Sequence, residues 1–216
     1  MHPFYEEFLK FLEIEDKENC VEFIISKLDN EEIDVPTLYT EILEPSLNLF
    51  YCEEEDDDLC IWKEHIRTSI IQTIIEICYP YIIRERKERE FKLNQIKVFI
   101  GCPAEELHDI GARMIADFFT LYGYEAIFAG ANTPRIEIKD AINTLKPKII
   151  AISVTNYFNL IEAEKAICLI KEHTDFSGKI VVGGLAFMNN PEIYKKIGAD
   201  IFIENHKEIQ KLAEEV

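Results

Sequence analysis

The sequence of 216 residues lacks the features that mark most membrane-bound, secreted and nucleic-acid-binding proteins. It does not open on a cationic segment followed by an apolar one, and no apolar run approaches the ~20 residues that a helix needs to span a bilayer. Positive charge is also scarce, since 23 lysines and arginines face 41 aspartates and glutamates, for a net charge of −18. Such a charge repels phosphate groups. We therefore expect a cytoplasmic protein that contacts neither nucleic acid nor membrane directly.

The six cysteines include no C-x-x-C pair, which is the spacing typical of zinc and redox sites. In a cytoplasmic chain they are expected to be free and mostly buried thiols. Cys52 and Cys60 bracket the acidic run 53–58, but this run has neither a glycine nor the ligand spacing of a calcium-binding EF-hand loop. We interpret the run as a solvated turn between helices.

The first 90 residues carry apolar side chains at helical spacing and no alternating strand pattern. They predict four amphipathic helices, near 4–12, 21–28, 35–50 and 59–83, and hence an all-α four-helix bundle over residues 1–90. Pro45 lies inside the third helical pattern and should kink that helix or remove one backbone hydrogen bond. A charged stretch, 84–95, follows as a connector.

Residues 91–216 alternate between strand-like and helix-like segments. The strands are predicted near 96–100, 125–129, 148–153, 179–182 and 200–203, and the helices near 109–122, 135–145, 159–173, 191–197 and 206–215. This rhythm predicts an α/β, Rossmann-like (flavodoxin-like) domain with a five-stranded parallel sheet in the order 2-1-3-4-5. In such a sheet, ligands bind outside the carboxyl ends of the strands, here where the first and third strands are neighbours.

Polar residues and glycines follow three of the predicted strands. His108 lies in the loop that leaves the first strand, Ser153 and Thr155 end the third, and the pair Gly183-Gly184 ends the fourth. Because the strands are parallel, these residues are expected to meet at one edge of the sheet.

The combination of E-x-H-x-x-G (Glu106, His108, Gly111), S-x-T and G-G, at these spacings, resembles the cobalamin-binding Rossmann-like domain over residues 95–205. The commoner form of the first motif has aspartate where this chain has Glu106. The segments GARMIADFFTLYGYEAIFAGANTP and GGLAFMNNPEIYKKIGAD are similar to the versions found in bacterial cobalamin sensors. The resemblance implies cobalamin as the cofactor.

The resemblance also implies a role for each residue of the first motif. His108 would be the metal ligand, replacing the cofactor's own base below the cobalt, so that cobalamin is held base-off with its nucleotide tail in the cleft. Glu106 would accept the other N–H of the imidazole, which fixes the tautomer and raises the basicity of the ligand. Asp109 is a competing partner for His108, or alternatively a cap for the following helix. Gly111 would let that helix pack close to the cleft.

The other two motifs are expected to receive the nucleotide tail. The hydroxyls of Ser153 and Thr155 can bond the tail, although local turn bonding is an alternative role for either residue. Gly183 and Gly184 lack side chains and would admit the tail closely, and they are also typical of a simple turn.

The helical half has a resemblance of its own. Residues 38–76 are similar to the four-helix cap that covers the upper face of cobalamin in these sensors and in corrinoid proteins, and the shared feature is Glu64-His65. The resemblance implies that this pair contacts the cofactor, with Phe50, Tyr51 and Glu54 as further candidates. A histidine on an apolar helix face is otherwise expected to be a core residue.

Three functions follow from these interpretations. The favoured one is a cobalamin sensor or regulatory module that acts through a protein partner, because the chain shows neither a helix-turn-helix pattern nor a basic face. The alternative is a corrinoid methyl carrier of a methyltransferase system, and the third is a flavodoxin-like interaction domain that binds no cobalamin. Each describes a binding, regulatory or carrier protein rather than a stand-alone enzyme. The upper axial ligand, the partner and the formation of a homo-oligomer stay open.

Overall fold

The computed structural model describes residues 2–49 and 57–214, and the chain divides into two compact units, Met1–Glu85 and Arg86–Val216. Each unit buries its own set of apolar side chains. The division falls within a long helix, Asp57–Glu88, so the domain boundary expected near residue 90 stays a prediction. Among the described residues, no helix is both long and apolar enough to cross a membrane.

The first unit consists of helices α1 (Pro3–Glu13), α2 (Lys17–Asp29), α3 (Val35–Thr37), α4 (Glu44–Asn48) and α5 (Asp57–Glu88). Side chains cap the first three of these helices, since the backbone N–H groups of Phe4, Asn19 and Thr37 donate to the side chains of His2, Asp16 and Asp34 respectively. The apolar stripe of α1 buries Phe8 and Leu12 completely. Helix α5 runs beyond the predicted 59–83 because the charged residues that follow continue the helix.

The third predicted helix is built of three segments. A π-helical turn, Leu38–Leu43, joins α3 to α4, and the backbone N–H of Glu44 donates to the carbonyl oxygen of Tyr39. Pro45 comes directly after this wide turn, in the first turn of α4. Proline lacks an N–H and its ring clashes with the carbonyl four residues earlier, so the wider turn accommodates it. The irregularity expected at Pro45 is therefore confirmed, as a π-helical turn.

The second unit contains the predicted parallel sheet. Its strands are β1 (Lys97–Pro103), β2 (Glu125–Thr133), β3 (Ile149–Ser153), β4 (Lys179–Gly183) and β5 (Ile201–Phe202), and their order β2-β1-β3-β4-β5 confirms the predicted topology. The helices are α6 (Ile110–Leu121), α7 (Arg135–Leu145), α8 (Leu160–His173), α9 (Leu185–Met188) and α10 (Ile193–Lys196). Helix α9 was not predicted, and the helix expected over 206–215 is a 3₁₀ segment, His206–Glu214.

The core of this unit lies between the sheet and the apolar faces of α7 and α8. Ile150, Ile152 and Val182 come from the central strands and pack with Ile142 and Ile167 from the two helices. At the carboxyl edge of the sheet, Ser153 of β3 pairs with Gly183 of β4. The β1–β2 pairing is irregular at the same edge, with register shifts on both sides of Gly101. Sheet topology thus brings the ends of β1, β3 and β4 together, as predicted.

The expectation of free thiols is correct only in part. Cys20, Cys102 and Cys168 are free, but Cys60 takes part in a disulfide bond. Burial is the largest cause of a rise in the pKa of the Cys20 and Cys102 thiols, in each case to about 12. Cys168 is exposed.

Candidate functional site

The loop between β1 and α6 places Glu106 inside the protein and its neighbours outside. Glu106 is completely buried, whereas Leu107 is 70% exposed and the side chain of His108 is 61% exposed. A turn begins this loop, since the backbone N–H of Glu106 donates to the carbonyl oxygen of Pro103 at 3.2 Å. The loop therefore presents an imidazole to the surface directly above a buried carboxylate.

The carboxylate of Glu106 accepts hydrogen bonds on both oxygens. Its Oε1 atom accepts from the backbone N–H of His108 at 3.0 Å and lies 2.6 Å from Nδ1 of the same residue. Its Oε2 atom accepts from the backbone N–H groups of Thr155 at 2.9 Å and Asn156 at 2.8 Å, and from the side-chain amide of Asn159 at 3.1 Å. One buried side chain therefore joins the loop after β1 to the segment after β3.

These hydrogen bonds decide the charge of Glu106. Burial acts to raise the pKa of the carboxyl, but the hydrogen bonds from Asn156, His108 and Asn159 outweigh it and hold the pKa below its ordinary value. An ionised carboxylate only accepts hydrogen bonds, so Nδ1 of His108 must carry a proton. In the neutral imidazole the lone pair is then on Nε2. The arrangement expected from sequence for Glu106 and His108 is present in the structure.

Asp109 is not the partner of the imidazole. It occupies the position before the first turn of α6, but its side chain accepts no capping hydrogen bond in the described part of the chain. A Cβ atom built on Gly130 would lie 4.0 Å from its Oδ2 atom, so the carboxylate faces the end of β2 instead. The capping role considered for Asp109 is therefore wrong.

The three glycines of the motifs differ in what their surroundings require. A Cβ atom at Gly111 would meet no atom within 4 Å outside its own helix turn among the described residues, so Gly111 borders open space and its role at the cleft stays a prediction. A Cβ atom at Gly183 would lie 3.2 Å from the carbonyl oxygen of Ile203, which is tight. Gly184 has φ +103° and a Cβ atom there would be 2.4 Å from the carbonyl oxygen of Val154. The turn at Gly184 requires glycine for the backbone alone.

Ser153 and Thr155 lie at the same edge of the sheet as the glycines and His108. Ser153 ends β3 and is partly buried, and the backbone N–H of Thr155 is one of the donors to Glu106. The use of their hydroxyls for a ligand stays a prediction. The structure does bring the residues of all three motifs of this unit together, because β1, β3 and β4 are consecutive in the sheet.

Glu64 and His65 belong to the other unit, where both are exposed on α5. The interpretation of His65 as a core residue is therefore wrong, and the role of this pair as cofactor contacts stays a prediction. The further candidates Phe50, Tyr51 and Glu54 lie outside the described residues.

Two asparagines that hold the His108 loop, Asn156 and Asn159, were not singled out from the sequence. Asn156 follows the S-x-T motif directly, and Asn159, three positions further on, is buried and donates from its side-chain amide to Glu106. Asn132, at the end of β2, contacts the same loop from the opposite side. Amide side chains at strand ends beside a predicted ligand loop were the available signal.

A single imidazole suits a metal that arrives with most of its ligands. Among residues 2–49 and 57–214, no group of three or more histidine, cysteine, aspartate or glutamate side chains is placed to hold a bare metal ion. His108 nevertheless has the tautomer and the carboxylate partner that metal-binding histidines have. These residues fit cobalamin, whose cobalt His108 would bind as the one protein ligand.

Fold and site together define a cobalamin-binding protein with a helical unit and a Rossmann-like unit. The chain belongs to the B12 binding domain family, whose model matches residues 96–212. Cobalamin is thus its cofactor, as the sequence resemblance implied. The alternative of a domain that binds no cobalamin is not supported.

Solved structures share the fold at low sequence identity. The monomethylamine corrinoid protein of Methanosarcina barkeri is 17% identical with a TM-score of 0.79, over 98% of this chain and 97% of that one. A cobalamin-binding protein of Desulfitobacterium hafniense is 18% identical with a TM-score of 0.51, over 97% and 96%. The methanol:cobalamin methyltransferase complex of Methanosarcina barkeri is 15% identical with a TM-score of 0.51, over 96% and 77%. The chain matches no curated protein.

Proposed function

We propose that the protein holds cobalamin base-off, with His108 as the lower axial ligand, and serves as a corrinoid methyl carrier that works with a methyltransferase. The observation that carries the ligand assignment is the 2.6 Å contact between Nδ1 of His108 and the buried Oε1 of Glu106. Bound cobalamin would supply a cobalt centre that takes up and releases a methyl group.

The residues of the chain prepare the axial ligand. Glu106 keeps the proton on Nδ1 of His108, so that Nε2 is available as the donor atom, and it fixes the orientation of the ring. The donors from Thr155, Asn156 and Asn159 keep that carboxylate ionised and fix its position. The ligand is thereby oriented before the cofactor binds, which reduces the entropy lost on binding.

The remaining motif residues have supporting roles in this proposal. Ser153 and Thr155 supply hydroxyls for the nucleotide tail, and Gly183 and Gly184 form the tight turn at the end of β4 that borders the tail. Gly111 allows the cofactor to approach the first turn of α6, because a side chain there would project into open space.

Two observations favour different roles for the bound cofactor. The carrier role is supported by the full-length similarity to a corrinoid protein and by the similarity to a chain of a methyltransferase complex. The sensor role is supported by the segments 111–134 and 183–200, which are similar to those of cobalamin sensors. Either role requires a protein partner. We rank the carrier first because its support covers both units.

Coordination is tested with hydroxocobalamin and the variant His108→Ala. Wild-type protein should give the visible spectrum of histidine-ligated, base-off cobalamin, and in its reduced paramagnetic form ¹⁵N-labelling of histidine should change the nitrogen splitting of the electron paramagnetic resonance signal. His108→Ala should lose both features. His173→Ala is the matched control, since His173 is similarly exposed but lies in the last turn of α8. Unchanged affinity and spectra in His108→Ala would contradict the assignment.

The carrier role is tested by methyl transfer. Reduced, cobalamin-loaded protein should be methylated in the presence of a partner methyltransferase and its methyl donor, and a second acceptor should reverse the spectral change. A sensor would instead change its binding to a regulatory partner when the upper ligand changes, without turnover. Absence of methyl transfer together with ligand-dependent partner binding would favour the sensor.

A further inference from the structure

Asn132, the residue before the end of β2, binds two consecutive residues of the His108 loop. Its side-chain Oδ1 accepts a hydrogen bond from the backbone N–H of Glu105 at 2.9 Å, and its own backbone N–H donates to the carbonyl oxygen of Glu106 at 2.8 Å. Asn159 reaches the loop from the β3 side, where its amide donates to the carbonyl oxygen of Glu105 at 3.2 Å. The two asparagines thus hold the loop from opposite sides.

The backbone conformation shows why the loop needs to be held. Glu105 has φ +68° and Asn132 has φ +47°, both in the left-handed region. Asparagine tolerates this region, whereas a glutamate there is strained. Strained residues persist at functional sites only when surrounding contacts determine their conformation. The backbone N–H of Glu105 donates to the side chain of Asn132, which lies on a different strand.

The position of Glu105 matters because Glu106 and His108 follow it directly. If the chain at Glu105 relaxes, the carboxylate of Glu106 moves relative to its donors after β3, and the imidazole that it orients moves as well. The hydrogen bonds of Asn132 go to the backbone of Glu105 and Glu106, so its effect on ligation would pass through the backbone of the loop.

We propose that Asn132 is a positioning residue for cobalamin coordination: it fixes the backbone of Glu105 and Glu106 so that His108 is presented in its ligating orientation. This inference rests on the proposed function, in which His108 is the axial ligand. The residues of the three motifs lie at or after the ends of β1, β3 and β4, and this inference adds a residue near the end of β2 to those that support coordination.

Two substitutions of Asn132 separate the effect of its side-chain acceptor from the effect of its backbone conformation. Asn132→Gly keeps the left-handed conformation and the N–H donor but removes Oδ1. Asn132→Asp keeps an acceptor at the same place in a residue that also tolerates this conformation. Both variants should fold, and urea unfolding checks that they do.

The first measurement needs no cofactor. Hydrogen exchange at the backbone N–H of Glu105 should be about three- to tenfold faster in Asn132→Gly, the equivalent of one hydrogen bond, while amides in the centre of β1 keep their rates. Asn132→Asp should match the wild type. Unchanged exchange at Glu105 in Asn132→Gly would overturn the inference at its first step.

The second measurement uses hydroxocobalamin. Asn132→Gly should raise the Kd by about three- to tenfold and, at saturation, lower the fraction of histidine-ligated cobalamin in the visible spectrum, with Asn132→Asp restoring both. Faster exchange with unchanged Kd and spectrum would show a structural role only and overturn the proposal. If His108→Ala binds like the wild type, the proposed function fails and positioning toward cobalt fails with it, whereas the exchange data still decide whether Asn132 holds Glu105.

Discussion

Replacing Glu106 with glutamine removes the negative charge below His108 without changing the size of the side chain. The single carbonyl oxygen of glutamine can accept either from His108 or from the donors at Thr155, Asn156 and Asn159. We expect it to face the three donors, because that orientation leaves fewer N–H groups without an acceptor. The amide nitrogen then faces His108, whose backbone N–H loses its acceptor. Its ring nitrogen Nδ1 must accept a hydrogen bond instead of donating one. The imidazole proton is therefore expected to move to Nε2, the nitrogen needed for cobalt.

The cost of this change can be worked out from the bonds that are lost. An unsatisfied buried N–H costs about 1–3 kcal/mol, and hydrogen bonds to a neutral oxygen are weaker than bonds to a carboxylate. We expect Glu106→Gln to lower the free energy of unfolding by roughly 2–4 kcal/mol on this basis. Affinity for hydroxocobalamin should fall by about 10–100-fold, as is usual when the partner of a metal-bound histidine is removed.

The assay has three parts and a matched control. Urea unfolding followed by circular dichroism gives stability, a spectrophotometric titration gives affinity, and ¹⁵N chemical shifts of the His108 ring identify the tautomer. Glu105→Gln removes the same charge from the neighbouring exposed side chain and should leave all three nearly unchanged. A Glu106→Gln variant with the proton still on Nδ1 and wild-type affinity would refute the reasoning.

Three further predictions concern pH, glycine and the helical unit. Folding lowers the pKa of Glu106, so the ionised carboxylate contributes fully to stability above the ordinary pKa of 4.5. This contribution is lost as the pH falls through the pKa of the folded protein. The difference in unfolding free energy between wild type and Glu106→Gln, measured by urea unfolding, should therefore narrow only in that acidic range. Gly184→Ala should lose about 2 kcal/mol or more because of its backbone conformation, whereas Gly111→Ala should unfold at the same or a higher urea concentration, and equal midpoints for the two would contradict the assigned surroundings. Glu85→Leu removes the acceptor of the buried backbone N–H of Val35 and should destabilise the helical unit by about 1–3 kcal/mol. Unfolding of this unit can be followed by the fluorescence of Trp62, the only tryptophan in the sequence. An unchanged urea midpoint would argue against that hydrogen bond.

The alternation of strands and helices in residues 91–216 could be predicted from the sequence because the spacing of buried apolar residues differs between strands and helices. Apolar runs such as 149–152 lie in the centre of the sheet, and the helix predicted near 135–145 is α7. Strand order followed as well, since parallel crossovers allow few arrangements. The C-terminal segment was misjudged because its helical spacing suits a 3₁₀ segment equally over a short length.

The chemistry of the site was predictable where the partners are neighbours in sequence. Glu106 and His108 are two positions apart, so their pairing needed only one loop conformation. The choice between Glu106 and Asp109 depended on which carboxylate turned inward, and the capping role considered for Asp109 did not form. The local sequence pattern thus predicted the ligand and two candidate partners, and only the folded structure shows which of the two contacts the imidazole.

The sequence by itself determined the order of the elements, the sheet topology and the position of the imidazole, because these depend on periodicity and short-range spacing. The tertiary structure alone decided how the carboxylate below that imidazole stays ionised. Its donors at Asn156 and Asn159 lie about fifty residues further along the chain, and Asn132 holds the loop from another strand. Hydrogen bonds between distant segments depend on distances of a few tenths of an ångström, which only the packed sheet sets.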